Sequence, residues 1–167
     1  MSKKSAIDSF SHPEFRGRIG LARSIITPPD GIYARLWGSA THDIAEGVHR
    51  PFFATALSLQ SDSTPESGVL ITLDAIALWQ EDADRMRDAI LKRFDMRPEQ
   101  LMLHPSHTHS SPALARRHAE RPGGHLIAPY LDSLPQMCCE LVAAARTNSV
   151  AGGVSWSYGK CGLAFNR

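Results

Sequence analysis

Gly68-Val69-Leu70-Ile71-Thr72-Leu73-Asp74 is a short apolar, β-favouring run that starts at a glycine and ends on an acid, and it reads as a strand with Asp74 at its exit. Downstream, from Glu81 to Phe94, the apolar positions Ala83, Met86, Ile90 and Phe94 recur at helical spacing with charged residues between them. That spacing predicts an amphipathic surface helix. Arg97-Pro98 stops it, and Gln100-Leu101-Met102-Leu103 reads as the next strand. Strand, helix, strand in that order implies a right-handed parallel crossover. Both strands then deliver their exit residues, Asp74 and the run from His104, to one carboxyl edge, where α/β sheets carry their sites.

Upstream, Pro51 opens a strand over Phe52–Leu59, and the polar stretch Gln60–Ser67 turns the chain so that the two strands pair antiparallel. An earlier strand is expected where Arg18-Ile19-Gly20-Leu21-Ala22-Arg23 alternates, ending at the strong turn Thr27-Pro28-Pro29-Asp30-Gly31. Ile32 to Gly47 reads as a long ordered loop, and long loops in compact domains are often functional. Downstream, the charged stretch Arg116–Gly124 breaks at Pro122-Gly123-Gly124. A second helix is expected from Leu126 to Arg146, its apolar face formed by Leu131, Leu134, Met137, Cys138, Leu141, Val142 and Ala145. Pro129 fits the first turn, whereas Pro135 should kink or divide the helix. Val150–Tyr158 reads as a last strand, with Gly152-Gly153 as a bulge or bend. The class is therefore α/β, a mixed β-sheet flanked by helices, with a flexible segment over residues 1–14 and one domain over 15–167.

Composition bounds the partners. Lys and Arg number 18 against 17 Asp and Glu, a formal charge of +1, so no basic stripe points to nucleic acid. Three cysteines do not make a disulfide framework, and the adjacent Cys138 and Cys139 read as small apolar residues. The N-terminus Met1-Ser2-Lys3-Lys4 has no apolar stretch behind it, so no secretory signal is read and the default compartment is the cytoplasm. No window reaches the length of a membrane span.

Pro105-Ser106-His107-Thr108-His109-Ser110-Ser111-Pro112 is the segment with chemistry in it. In extended backbone His107 and His109 project to one side, which suits a metal or a proton carrier beside one. The alternative is a His-x-His pair arising by chance among eight histidines, with rings bonded locally. Ser110 and Ser111 lack a Gly-x-Ser-x-Gly elbow, so a serine nucleophile is not expected. His42, His104, His118 and His125 are expected to be solvated or locally bonded.

Four segments, in order, resemble the N-terminal catalytic domain of the neutral/alkaline ceramidase family, zinc-dependent amidases that cleave the N-acyl bond of ceramide. Ile19 to Gly31, ending Ile26-Thr27-Pro28-Pro29-Asp30-Gly31, is similar to the family's first strand and "ITPP-x-G" turn. Gly47-Val48-His49-Arg50-Pro51-Phe52-Phe53-Ala54-Thr55-Ala56-Leu57 resembles its "GIHDPLYARAL" segment, with Thr55 in place of arginine. Ile71-Thr72-Leu73-Asp74 is similar to its strand ending in aspartate. Ser106 to Pro112 is close to its "THTHSGP" signature, with Ser106 and Ser111 for threonine and glycine. A weaker match is Gly162-Leu163-Ala164-Phe165-Asn166-Arg167 to the start of its "N-x-NRSP" segment.

The resemblance implies that His107 is a zinc ligand, that His109 stands beside the metal as a catalytic group, and that Arg167 contacts a ceramide-like substrate. By position rather than by the resemblance, Asp74 at its strand exit reads either as an acceptor that orients a histidine or as a plain strand-end cap, and His49, before Pro51 at a strand entry, as a residue fixing the loop more than as a catalytic one. The family's remaining ligands lie beyond its "NR" segment, so the expectation is an incomplete part of a larger ceramidase-like domain, inactive alone and prone to self-association through open sheet edges. The alternative is a non-catalytic remnant or binding module on the same scaffold.

Overall fold

The computed structural model describes residues 14–36, 38, 40–64 and 67–163. Five strands form one sheet: β1 (Glu14–Ile25), β2 (Phe53–Ser61), β3 (Ser67–Leu73), β4 (Leu101–Pro105) and β5 (Val150–Ser155), in the order β4-β3-β2-β1-β5. The helices are α1 (Gln80–Phe94), between β3 and β4, and α2 (Ile127–Thr147), before β5. β3 and β4 are parallel and every other pairing is antiparallel, which is the mixed α/β sheet expected from the strand–helix–strand pattern. α1 ends where Asp95 takes a left-handed conformation (φ 49°), ahead of Arg97-Pro98. No helix among the described residues is long and apolar enough to cross a membrane.

One face of the sheet carries both helices. Strand alternation sends Ala54, Ala56, Val69, Ile71, Leu73 and Leu101 to that face, where all are buried. They meet Met86 and Ile90 of α1 and Leu134, Cys138, Leu141 and Val142 of α2. Each fully buried aliphatic side chain of this kind contributes roughly 1.5–3 kcal/mol. The apolar face expected for α2 is therefore the buried one, with Ile127 added and Met137 at its margin.

Several boundaries differ from the sequence reading. β1 is twice as long as its alternating hexapeptide, because pairing with β2 on one side and β5 on the other fixes residues whose own pattern is weak. Glu14 belongs to this strand, while the rest of the expected loose segment lies outside the described residues. α2 is undivided at Pro135: a proline deletes one backbone hydrogen bond, and the packed face on either side holds the helix together. Gly152 and Gly153 form no bulge, since Gly17↔Gly152 and Arg16↔Gly153 lie in unbroken register. A Cβ at Gly152 would stand 3.2 Å from Ile19 Cδ1, so glycine there makes room rather than a bend. The charged stretch opens with a 3-10 turn, Arg116–His118, and a second, Gly124–Leu126, leads from its end into α2.

The cysteines divide by burial. Cys138 is fully buried, and desolvation pushes its thiol up to about 12, whereas Cys161 is exposed. In a native thiol titration at mildly alkaline pH, Cys161 is expected to react first and Cys138 only after unfolding. Equal labelling of both in the folded state would contradict this packing.

Candidate functional site

The site edge is formed by the carboxyl ends of β1, β3 and β4 and the amino end of β2. Antiparallel pairing of β2 with both neighbours sets Ile25 opposite Phe53 and Leu73 opposite Ala54. A chain of hydrogen bonds then stitches the four segments together. Ile26 N–H donates to Phe52 O (2.8 Å), and Phe52 N–H to Thr27 Oγ1 (2.9 Å). Asp74 N–H donates to Phe53 O (2.9 Å), while Phe53 N–H donates back to Asp74 Oδ2 (2.9 Å). Ser106 N–H donates to Leu73 O (2.8 Å), tying the histidine loop to the exit of β3.

These segments enclose one cleft of about 450 Å³. Its wall is apolar where Pro28, Pro29, Ile32, Val48 and Phe52 contribute. Asp30, His49, Arg50, Asp74, Thr108 and Ser110 add polar groups. The long loop shapes one side through a narrow ladder, with a bridge between Tyr33 and Ile44 and Ala34 N–H donating to Asp43 O (2.8 Å). Gly123 supports it from behind, accepting from Tyr33 N–H (3.2 Å) in a left-handed conformation (φ 73°). A Cβ there would stand 2.0 Å from Gly31 O, so only glycine fits.

His107 and His109 stand together, ring centroids 5.1 Å apart and inclined at 75°, and both side chains are exposed. They are not in simple extended backbone, because His107 has φ 59°. The left-handed residue turns the chain sharply at the end of β4, and Ser111 N–H closes the turn on Thr108 O (3.3 Å). His107 Nδ1 lies 2.7 Å from Ile76 O. A carbonyl only accepts, so this bond places the proton on Nδ1 and leaves Nε2 with its lone pair, the form in which a neutral imidazole binds metal. After the loop, Ser111 to Ala115 are buried without interruption, which anchors it into the core.

The other anticipated residues are scattered around the same edge or lie away from it. His49 is exposed and lines the cleft beside Arg50. Asp74 also lines it, with one carboxylate oxygen engaged by the Phe53 amide, the arrangement of a strand-end clamp. Arg167 lies outside the described residues. His42 pairs with Glu46 (3.1 Å) and His118 stacks edge-on against Tyr33, both local arrangements. Arg50, Asp30 and Thr108 were not singled out from sequence. The signal for them was position within the matched segments: Arg50 and Thr108 each flank a chosen histidine, and Asp30 lies in the matched Pro-Pro-Asp-Gly turn. Among the described residues no group of three His, Cys, Asp or Glu is placed to hold a metal ion.

No family model and no curated protein matches this sequence. Solved structures do. The crystal structure of neutral ceramidase from Pseudomonas aeruginosa superposes with a TM-score of 0.65 at 16% identity, over 86% of this chain and 23% of that one. A ceramidase complexed with C2 gives a TM-score of 0.66 at 17% identity, over 85% of this chain and 22% of that one. The chain thus spans less than a quarter of those proteins, and what the likeness shows is the fold: a five-stranded α/β unit matching part of a ceramidase.

Proposed function

We propose that this chain carries part of the active site of a ceramidase-like amidohydrolase acting on ceramide or a related N-acyl compound, with His107 as one zinc ligand and His109 as the neighbouring acid–base group. One observation carries the reading: the four segments chosen for their resemblance, far apart in sequence, line a single cleft, the histidine loop through Thr108, Ser110 and Pro112 and not through His107 or His109 themselves. The ring orientation of His107 supports it, since Ile76 O holds Nδ1 and Nε2 is the nitrogen left for a metal. An apolar wall with polar groups on it suits an amphiphile whose amide must be oriented beside a greasy chain.

Zinc, where bound, would generate hydroxide near neutral pH and polarise the amide carbonyl. His109 is positioned beside His107 to hold or deliver a proton to the departing amine. Arg167 is assigned to a substrate oxygen on the strength of the motif. Asp74 and His49 are assigned to the cleft wall. A catalytic zinc takes three protein ligands, and His107 supplies one, so the chain alone is proposed to be inactive. The non-catalytic reading keeps the same cleft as a binding site.

Zinc titration by calorimetry, alongside hydrolysis of an N-acyl sphingoid base with and without zinc, tests this. Weak zinc binding is expected in the native chain and none in His107→Ala, with unchanged far-UV circular dichroism. Identical isotherms for the two proteins would remove His107 from the metal site. Turnover by the isolated chain would refute the proposed incompleteness.

A further inference from the structure

At the end of the sheet opposite the cleft, the carboxyl end of β2, the amino end of β3 and the last turns of α1 and α2 enclose another cavity, of about 350 Å³. Its lining is mainly polar, with Ser61, Thr64 and Gln100 beside Asp95, Arg97 and Arg146. Arg146 comes from the last turn of α2 and is half-buried. Its guanidinium lies over the Phe94 ring at 4.7 Å, and its Nε is fully buried with no acceptor. A guanidinium carries five N–H donors. Among the described residues the only acceptor within reach of them is a thioether, Met96 Sδ, 3.2 Å from one terminal nitrogen. Thioether sulfur accepts weakly. Burial accordingly pulls the Arg146 guanidinium below its ordinary range, and no acid among the described residues offsets it.

We propose that this cavity binds a small oxyanion, held by Arg146. The planar fork of the guanidinium matches the paired oxygens of a phosphate or a carboxylate, and stacking on Phe94 fixes the plane of the fork. Arg97 adds positive charge to the same cavity, although its Nε is engaged by Glu99 Oε1 (2.6 Å). Gln100 supplies shape rather than donors, because its side-chain amide is spent on Ser67 O (2.9 Å) and on the Arg97 N–H (2.8 Å). The carboxyl ends of α1 and α2 favour a cation here, yet no described carbonyl accepts from Arg146. Its donors are therefore left for a ligand. Asp95 is the opposing charge among the described lining residues, and it limits the affinity without filling the fork.

Titration of inorganic phosphate into the native chain at constant ionic strength, followed by two-dimensional NMR, is the test, with acetate and chloride as companion anions. The Arg146 Nε–H signal and the backbone amides of Ser61, Asp95 and Gln100 are expected to shift saturably with phosphate, while those of His107 to Ser111, at the other end of the sheet, stay in place. A matching response to acetate makes the ligand class oxyanions in general, and its absence narrows the class to phosphate. Arg146→Gln is expected to lower the affinity about tenfold or more, and Arg146→Lys, which keeps the charge without the fork, to lower it less. Asp95→Asn should raise it, since asparagine tolerates the left-handed backbone at that position and the like charge is gone. Cooperative thermal transitions establish that the variants fold. A shift pattern that chloride reproduces, or an affinity unchanged in Arg146→Gln, overturns the site. Glu66 lies outside the described residues. Phosphate binding that emerges only in Glu66→Gln would also overturn it, because the chain's own carboxylate would then be the occupant.

Discussion

Gly20→Ala is expected to lower stability by roughly 2–4 kcal/mol, read as a reduced urea midpoint at unchanged slope. Gly20 is buried on β1 where α2 crosses, and a Cβ built there would stand 1.8 Å from Ala145 O and 3.2 Å from Ser149 Cβ. The obstruction is backbone, not the end of a flexible side chain, so it cannot rotate away. Either the last turns of α2 lift from the sheet or β1 bends. Lifting opens the contact between Ala145 and the core, and it strains the hydrogen bond from Arg18 Nε to Ser149 Oγ (3.1 Å) at the helix end. Gly38→Ala is the matched control, since nothing lies within 4 Å of its Cβ position. Equal midpoints for the two variants would show that α2 does not seat on Gly20.

That contact was invisible in the sequence, where Gly20 was one member of an alternating run. What the sequence does encode is local. The 3.6-residue spacing of Met86 and Ile90 and the strand–helix–strand order were enough to give α1 and the parallel pair β3–β4. The limits of β1 depend on two partner strands, and the continuity of α2 through Pro135 depends on a packed face, so neither could be read from residues near them in the chain. The roles of Gly20 and Gly123 are likewise set by how closely another backbone passes.

The site divides in the same way. The spacing of His107 and His109 suggested a shared direction through extended backbone, and the rings are indeed adjacent, but by a left-handed turn at His107. Asp74 was recognisable as a strand-end acid, whereas its bond to the Phe53 amide required knowing that β2 starts beside it. Which segments face one another across the cleft depends on sheet order, a property no single segment contains.

The second large effect is expected at Arg116, which comes immediately after the buried stretch that anchors the histidine loop. Arg116 Nε donates to Asp82 Oδ1 (2.8 Å) on α1, and another guanidinium nitrogen donates to Asp132 Oδ1 (2.7 Å) on α2. Asp82 is only 5% exposed, so its charge relies on this partner. Arg116→Met should therefore cost about 3 kcal/mol, chiefly by stranding a buried carboxylate. Adding Asp82→Leu to Arg116→Met should recover much of the loss, since the stranded charge is then gone, and a strictly additive double variant would show that the two do not interact. Arg116→Lys keeps the charge without the fork that spans two acids, so an intermediate loss is expected. The pH dependence has a definite sign. The Arg116 hydrogen bond holds the exposed Asp132 carboxyl below its usual range, so that contribution is present above the unfolded carboxyl's range and fades as acid protonates the folded one. Arg116→Met should accordingly flatten the acid limb of stability against pH. If the loop is fixed through this ion pair, backbone amides of Thr108 to Ser111 should also exchange faster in Arg116→Met, while those of β2 keep their native protection relative to global stability.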